Sequence, residues 1–407
     1  MLKSVSNATI IYQIFSVVKF KMKICAIICE FNPFHNGHKY LLEQARALSG
    51  CDALLCVMSG NFTQRGEACI LNKYERAKHA VLGGADCVLE LPAAFAVSPA
   101  EIFATGAVKL LSSVPEVTHL AFGCENGNEE SYLKAAKILL DESEKFTAVL
   151  NRELKGGESY IKSYKTAFVA VGGEKELVSK PNNILALEYV KSVLRLKKDI
   201  KIVPVKRAGA DYNDCELHEN FSSASAIRAN LKSDRLSGNV PDYVLKDLKN
   251  AVCDGEKVKN YFKLVLSRTS AEDLRRVYGA TEGLENKILS LASLPFDEII
   301  EKCTSRRYSS ARIRRIICEN FLNLYQSDCE EFIAADLYLK PLAINGKIAD
   351  GLFAALAKAD YPLVLKGRDR LKLGETALKC LEKDEFADGQ WRQITDKNFE
   401  SKLITVK

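Results

Sequence analysis

The chain reads as an α/β protein: a doubly wound parallel sheet followed by a mostly helical region. Two observations predict the sheet. Apolar runs of strand length, such as "KICAIICEFN" and "DALLCVMSG", are continuous rather than alternating, as expected of strands buried on both faces. Strand-like and helix-like segments then alternate along the chain, the pattern of helices packed on both sides of a parallel sheet. A third observation predicts the helical region: after about residue 235 strand-like runs become scarce.

From Met22 the elements follow in order. "MKICAIICE" is the first strand, and "HKYLLEQARAL" carries Tyr40, Leu41, Leu42, Ala45 and Leu48 at helical spacing. After the strand "DALLCVMSG" comes the helix "KYERAKHAVLG", closed by Gly83 and Gly84. "DCVLELP" and "VTHLAFG" are two more strands, and between them Ser98 and Pro99 open the helix "PAEIFATGAVKLLSS". "ESYLKAAKILLDE" and "NNILALEYVKSVL" are helices, and "DIKIVPVKR" is a strand. Beyond them "PDYVLKDLKNAV", "VKNYFKLVLSR", "AEDLRRVYGA", "ENKILSLAS", "FDEIIEKC" and "ARIRRIICENFLNLY" are helical by spacing.

A length of 407 residues exceeds one ordinary core. The expected division is a peripheral extension over 1–21, a sheet domain over 22–235 and a mostly helical domain over 236–407. The extension has a short apolar run broken by Gln13, unlike a signal peptide, so the natural start is expected at Met22. No segment has the length and purity of a membrane helix, and no membrane partner is expected. Net charge is +6, which permits a polyanionic partner without demanding one. The 13 cysteines are scattered through apolar runs with no CxxC pair, which excludes zinc-finger spacing and fits small core hydrophobes in a reducing cytoplasm.

The chemistry concentrates in "HNGH", where two of only five histidines flank Asn36 and Gly37. They stand at the carboxyl end of the first strand, where open α/β sheets bind ligands. The following helix offers unpaired N–H groups and the positive end of its dipole, a natural phosphate site. Gly37 lets a phosphate approach the backbone, and His35 and His38, three positions apart, can donate to phosphoryl oxygens from one side. A lone histidine there would be expected to cap the turn; strand, glycine and helix together point to phosphate. No Ser-His-Asp order or carboxylate pair competes with this reading. His79 and His119 are assigned to packing or surface, and His218 has no partner pattern.

"HNGH" resembles the HxGH signature of the nucleotidyltransferase superfamily, which implies a Rossmann-like nucleotidyltransferase fold and attack on the α-phosphate of ATP. That superfamily also has a Ser/Thr-rich turn opening a late helix near the outer phosphates. Here "SSASAIRANL" supplies Ser223, Ser225 and Arg228. The blocks "EFNPFHNGHKYLLEQAR", "SGNFTQRGEACILNKYERAKHAV", "LELPAAFAVSPAEIFATGAV", "AFGCEN", "KPNNILALEYV" and "KRAGADYND…SASAIR" together resemble the bacterial tRNA(Met) cytidine acetate ligase family. The resemblance implies formation of acetyl-adenylate from acetate and ATP, with Mg²⁺ expected alongside ATP. The acetyl group then passes to N4 of the wobble cytidine of elongator methionine tRNA.

Residue by residue, the resemblance implies an ATP segment of Ile28, Cys29, Glu30, Phe31, Asn32, Pro33, Phe34, His35, Asn36, Gly37, His38, Lys39, Tyr40 and Leu41, with His35 and His38 catalytic. Gly123, Asn182 and Arg207 complete the ATP contacts. The chain departs from the family pattern at Ala186, Ala208, Asp211 and Asn213, where the family carries glycine, glutamate, glycine and histidine; Arg207 and Tyr212 stay in place. The loop after the second strand offers Asn61, Gln64 and Arg65 for the small carboxylate or the target base, arginine because its planar fork can make two parallel hydrogen bonds. No metal-ligand set is expected. "EKCTSRRYSSARIRRIICEN" has six basic and two acidic residues, and Arg306, Arg307, Arg312, Arg314 and Arg315 are expected at a tRNA backbone with Tyr308 for stacking. Two alternatives stay open: an HxGH adenylyltransferase acting on a small phosphorylated substrate, and a catalytically silent RNA-binding protein.

Overall fold

The apolar runs form strands β1 (Ile24–Cys29), β2 (Ala53–Ser59), β3 (Cys87–Leu91), β4 (Val117–Cys124) and β5 (Lys201–Lys206). All residues of the first three strands are buried, which is why they carry no polar alternation. The computed structural model describes residues 22–407 apart from 208–220, 232 and 252–253. The extension 1–21, the departures Ala208, Asp211 and Asn213, Tyr212 and His218 lie outside the described residues.

The helices that matter for the site are α1 (Asn36–Ser49), α2 (Lys73–Leu82), α3 (Ala100–Ser112), α4 (Pro181–Arg195), α5 (Ala224–Ala229), α6 (Ser310–Phe321) and α7 (Glu375–Thr395). Local chemistry sets their ends. Gly50 closes α1 with φ +58. The Asn72 side chain caps α2 by accepting from the Tyr74 and Glu75 amides at 2.9 and 3.0 Å. Pro181 occupies the first turn of α4, where its missing N–H costs nothing.

Two further strands, β6 (Pro341–Asn345) and β7 (Ile404–Val406), join the same sheet. Among the described residues its order is β5-β4-β1-β2-β3-β6-β7. The first five strands are parallel, β6 runs antiparallel to β3, and β7 runs parallel to β6. The direction of winding reverses between β1 and β4, which creates a crevice at their carboxyl ends. Alternate residues of β1 serve two cores. Ile24, Ala26 and Ile28 face α3 and α4, while Cys25, Ile27 and Cys29 face α1 and α2.

The first of these cores continues through Phe262, Ile316 and Trp391 of the later helices. We propose that the boundary near residue 235 separates two parts that share one sheet and one core, rather than two independent cores. The two extra strands escape a sequence reading because β7 has only three residues and β6, though as long as β3, follows a run of helices instead of the strand–helix alternation. The 11 described free cysteines are all buried. No helix of the described residues is long and apolar enough to cross a membrane.

Candidate functional site

β1 delivers the chain to the crevice and then turns sharply. Phe31 takes φ +48, a conformation a bulky residue adopts only when its surroundings hold it there. What holds it is burial: its ring packs 5.1 Å from Phe34 and 4.7 Å from His38, centroid to centroid. The turn leads into the N-terminus of α1, where the two histidines form a reciprocal cap. His35 Nδ1 accepts from the Gly37 amide at 3.1 Å, and His38 Nδ1 accepts from the His35 amide at 3.3 Å.

This cap fixes the tautomers. A backbone N–H can only donate, so both Nδ1 atoms must be unprotonated, and each neutral ring carries its hydrogen on Nε2. The rings stack at 3.6 Å between centroids. Burial, then Arg207 and Arg228, pushes the His35 imidazole down to about 3. Burial, His35 and Arg207 hold His38 well below its ordinary value. Both rings are therefore neutral Nε2–H donors at pH 7. Capping takes Nδ1 of each ring, so the phosphate contact expected from the sequence would fall to the other nitrogen and does not compete with it. Gly37 has a steric reason as well: an added Cβ would lie 3.0 Å from His35 Cε1.

A cleft opens here, at the carboxyl ends of the strands where open α/β sheets bind ligands. Ile28, Cys29, Glu30, Phe31, Asn32, His38 and Leu41 line it from β1 and α1. Gly123, Asn182, Arg207, Ser225 and Arg228 line it from β4, α4, the end of β5, and α5. Gln64 and Arg65 enter from the loop after β2. A smaller adjoining cavity takes His35, Gly37, Tyr40 and Phe221, and shares His38, Leu41, Gly123 and Arg207 with the cleft. Residues more than 170 positions apart in sequence thus converge on one strand end.

Other expected positions do not face either cavity. Phe34 is core, and its ring fills the space beside Gly83. Asn36 ties the start of α1 to a distant turn, donating to the Gly238 carbonyl at 2.9 Å. Pro33 and Lys39 line neither cavity. Ser223 caps α5 by accepting from the Ala226 amide at 2.9 Å and lines neither cavity, whereas Ser225 and Arg228 reach the cleft. Asn61 is buried: it donates to Asp388 at 2.9 Å and accepts from the Lys73 amide at 2.7 Å. Its amide is committed to structure, whereas its loop neighbours Gln64 and Arg65 stay on the cleft wall.

The basic cluster also divides. Arg312 donates to the Gly279 carbonyl at 2.7 and 3.1 Å and lies over the Tyr308 ring. Arg315 reaches the Gln64 carbonyl at 3.4 Å and so braces the cleft loop. At Gly66, with φ +73, an added Cβ would stand 2.5 Å from the Arg314 carbonyl carbon, so α6 and this loop meet backbone to backbone. Arg306 and Arg307 are exposed, and Arg307 pairs with Glu282 at 2.6 Å. His79 is buried against Asp247 at 2.7 Å, and His119 meets Thr118 at 2.8 Å; neither lines the cleft.

Several contributors have no clear sequence signal. Arg76 is fully buried and donates to the carbonyls of Glu30, Ser59, Gly60 and Leu71, tying together the ends of β1 and β2. Glu30, by contrast one of the expected ATP-segment residues, accepts from the Gln64 amide at 2.7 Å. Burial pushes its carboxyl up, against the pull of that amide and of Arg228 and Arg65. Glu67 pairs with Arg228 at 3.2 Å on the same wall. Thr63, Phe103, Phe122, Leu185, Tyr189 and Ala224 complete the lining. Glu125 explains Asn182: its carboxylate accepts from the Asn182 amide at 2.7 Å, which sets how that side chain meets the cleft. Among the described residues no group of three or more His, Cys, Asp or Glu side chains could hold a metal ion.

A family model described as HIGH nucleotidyl transferase matches residues 22–404. A protein of Acetivibrio thermocellus named tRNA(Met) cytidine acetate ligase is 35% identical over 379 residues, 88% of this chain and 91% of its own length. A protein of the same name from Caldanaerobacter subterraneus subsp. tengcongensis is 34% identical over 391 residues, 93% of this chain and 96% of its own. The crystal structure of Thermotoga maritima TmcAL in its apo form superposes with a TM-score of 0.87 at 27% identity, covering 95% of this chain and 100% of that one. The structure of the same protein bound with alpha-thio ATP gives a TM-score of 0.85, with the same identity and coverage.

Proposed function

This chain belongs to the HIGH nucleotidyl transferase family, alongside the tRNA(Met) cytidine acetate ligases, and from that premise we propose that it activates acetate with ATP and acetylates N4 of the wobble cytidine of elongator methionine tRNA. The single observation that supports this most is the pair of neutral Nε2–H donors at the switch point of the sheet.

In the first half-reaction an acetate oxygen attacks the α-phosphorus in line. The new P–O bond forms as the bond to the β-phosphate bridging oxygen breaks, giving acetyl-adenylate and pyrophosphate. The chain contributes positioning and charge stabilisation rather than covalent chemistry. His35 and His38 donate to oxygens whose charge grows in the transition state. Gly123, Asn182 and Arg207 hold the nucleoside side, and Ser225 and Arg228 the outer phosphates. Gln64 and Arg65 are placed for the acetate carboxylate. Mg²⁺ bound with ATP would neutralise phosphate charge, and Glu30 and Glu67 on the cleft wall are the carboxylates that would hold it. In the second half-reaction cytidine N4 attacks the acetyl carbonyl, the C–N bond forms, the C–O bond to phosphate breaks, AMP leaves, and N4 gives up a proton.

Incubation with ATP, labelled acetate and total bacterial tRNA, followed by nucleoside analysis, is expected to yield labelled N4-acetylcytidine. Its absence beside a working control enzyme would remove the reading. For RNA contact Arg306 and Arg307 are better placed than Arg312 and Arg315: both are exposed, and the pairing of Arg307 with Glu282 is open to solvent, whereas Arg312 and Arg315 brace the fold. Arg306→Ala and Arg307→Ala are each expected to lower the slope of log K for tRNA against log salt by about 0.7 to 0.9, the loss of one phosphate contact. A salt titration of tRNA binding that gives the wild-type slope for both would place the RNA elsewhere.

A further inference from the structure

The cleft has two unlike walls, and the polar one accounts for the nucleotide and a carboxylate. The other is apolar, built from Ile28 on β1, Phe103 on α3, Phe122 on β4, and Leu185 and Tyr189 on α4. On α4, Asn182, Leu185 and Tyr189 follow at spacings of three and four, so they lie on one helix face that passes from polar to apolar. The apolar end is tight. Phe103, Phe122 and Tyr189 are 1%, 3% and 4% exposed. For side chains of roughly 200 Å² each, that leaves less than about 10 Å² per ring. Such a footprint suits one or two carbon atoms. A purine or pyrimidine face needs far more.

The rings are also braced from behind. Phe122 sits 6.2 Å from Tyr189 and 5.1 Å from Tyr132, and Phe103 sits 6.5 Å from Tyr189. A close-packed wall of this kind does not expand to admit an extra methylene. Leu185 is the exception, being half-buried with a face left toward the cleft. We propose that this apolar lobe receives the methyl group of the acyl donor, and that Leu185 with the three rings sets the limit on acyl chain length. The proposal rests on the acetate-activating function above and assigns the part of the cleft that selects the acid.

The test is ATP–pyrophosphate exchange by the full chain with acetate, propionate or butyrate. In the wild type, propionate is expected to give a kcat/KM roughly 10- to 200-fold below acetate, the range for one misplaced methylene. Leu185→Ala is expected to raise the propionate-to-acetate ratio about tenfold while the KM for ATP stays within about twofold. Leu185→Val, a smaller deletion that preserves packing, is expected to shift the ratio in the same direction and serves if the alanine variant fails to fold. An unchanged ratio in a folded variant overturns the proposal. So does a raised KM for ATP at an unchanged ratio, which would give the lobe to the nucleoside. Wild-type enzyme with no acetate-dependent exchange would remove the functional reading itself, and this inference with it.

Discussion

Replacing His38 with alanine is expected to lower kcat for acetate-dependent pyrophosphate exchange by roughly 10²- to 10³-fold, the loss of one preorganised donor to developing charge. The change removes the Nε2–H donor from the cleft and leaves the His35 amide without the acceptor it meets at 3.3 Å. The KM for ATP should move much less than kcat, because the donor acts mainly where charge appears. A variant whose KM rises while kcat holds would show that His38 only binds substrate. The same pair makes a pH prediction. The folded pKa of His35, about 3, lies below the roughly 6.5 of an unfolded histidine. Below pH 6.5 the unfolded chain therefore takes up a proton that the folded chain refuses. This contribution is fully present above about pH 6.5 and shrinks as the pH falls toward 3, by about 2 kcal/mol at pH 5. Urea midpoints should accordingly fall more steeply between pH 7 and 5 in wild type than in His35→Gln.

The second large effect lies away from the chemistry. Lys73 is fully buried with its ammonium between Glu90 at 2.5 Å and Asp388 at 2.6 Å. Lys340 also meets Glu90, at 3.0 Å. Lys73→Met keeps the volume but leaves two buried carboxylates with less compensation, which costs about 3–5 kcal/mol. A urea midpoint near that of the wild type would refute this. Activity should fall with stability, because Asp388 also receives Asn61 and so anchors the loop that carries Gln64 and Arg65.

That cluster shows where a sequence reading ends. The parallel strands announced themselves because burial on both faces forbids alternation, and the histidine turn because strand, glycine and helix coincide within a dozen residues. Nothing in the segments around Lys73 and Glu90 reveals that the two are buried together, and the second partner of Lys73, Asp388, lies more than 300 positions further along. Asn61 looked like a substrate ligand for the same reason: nothing local reveals that a late helix takes its amide. Arg315 looked like a surface cation, yet it is half-buried and reaches the Gln64 carbonyl. The apolar wall was hidden because Phe103, Phe122 and Tyr189 occupy ordinary core positions of α3, β4 and α4, and only the fold shows which of them border open space.

The α7 contacts have a consequence for synthesis. Asp388 and Trp391, whose indole donates to the Cys69 carbonyl at 2.9 Å, stand 327 and 322 positions beyond the partners they meet in the loop after the second strand. A ribosome must make all of the intervening residues before that loop can settle. Nascent chains that stop short of α7 therefore lack the contacts that hold this side of the cleft.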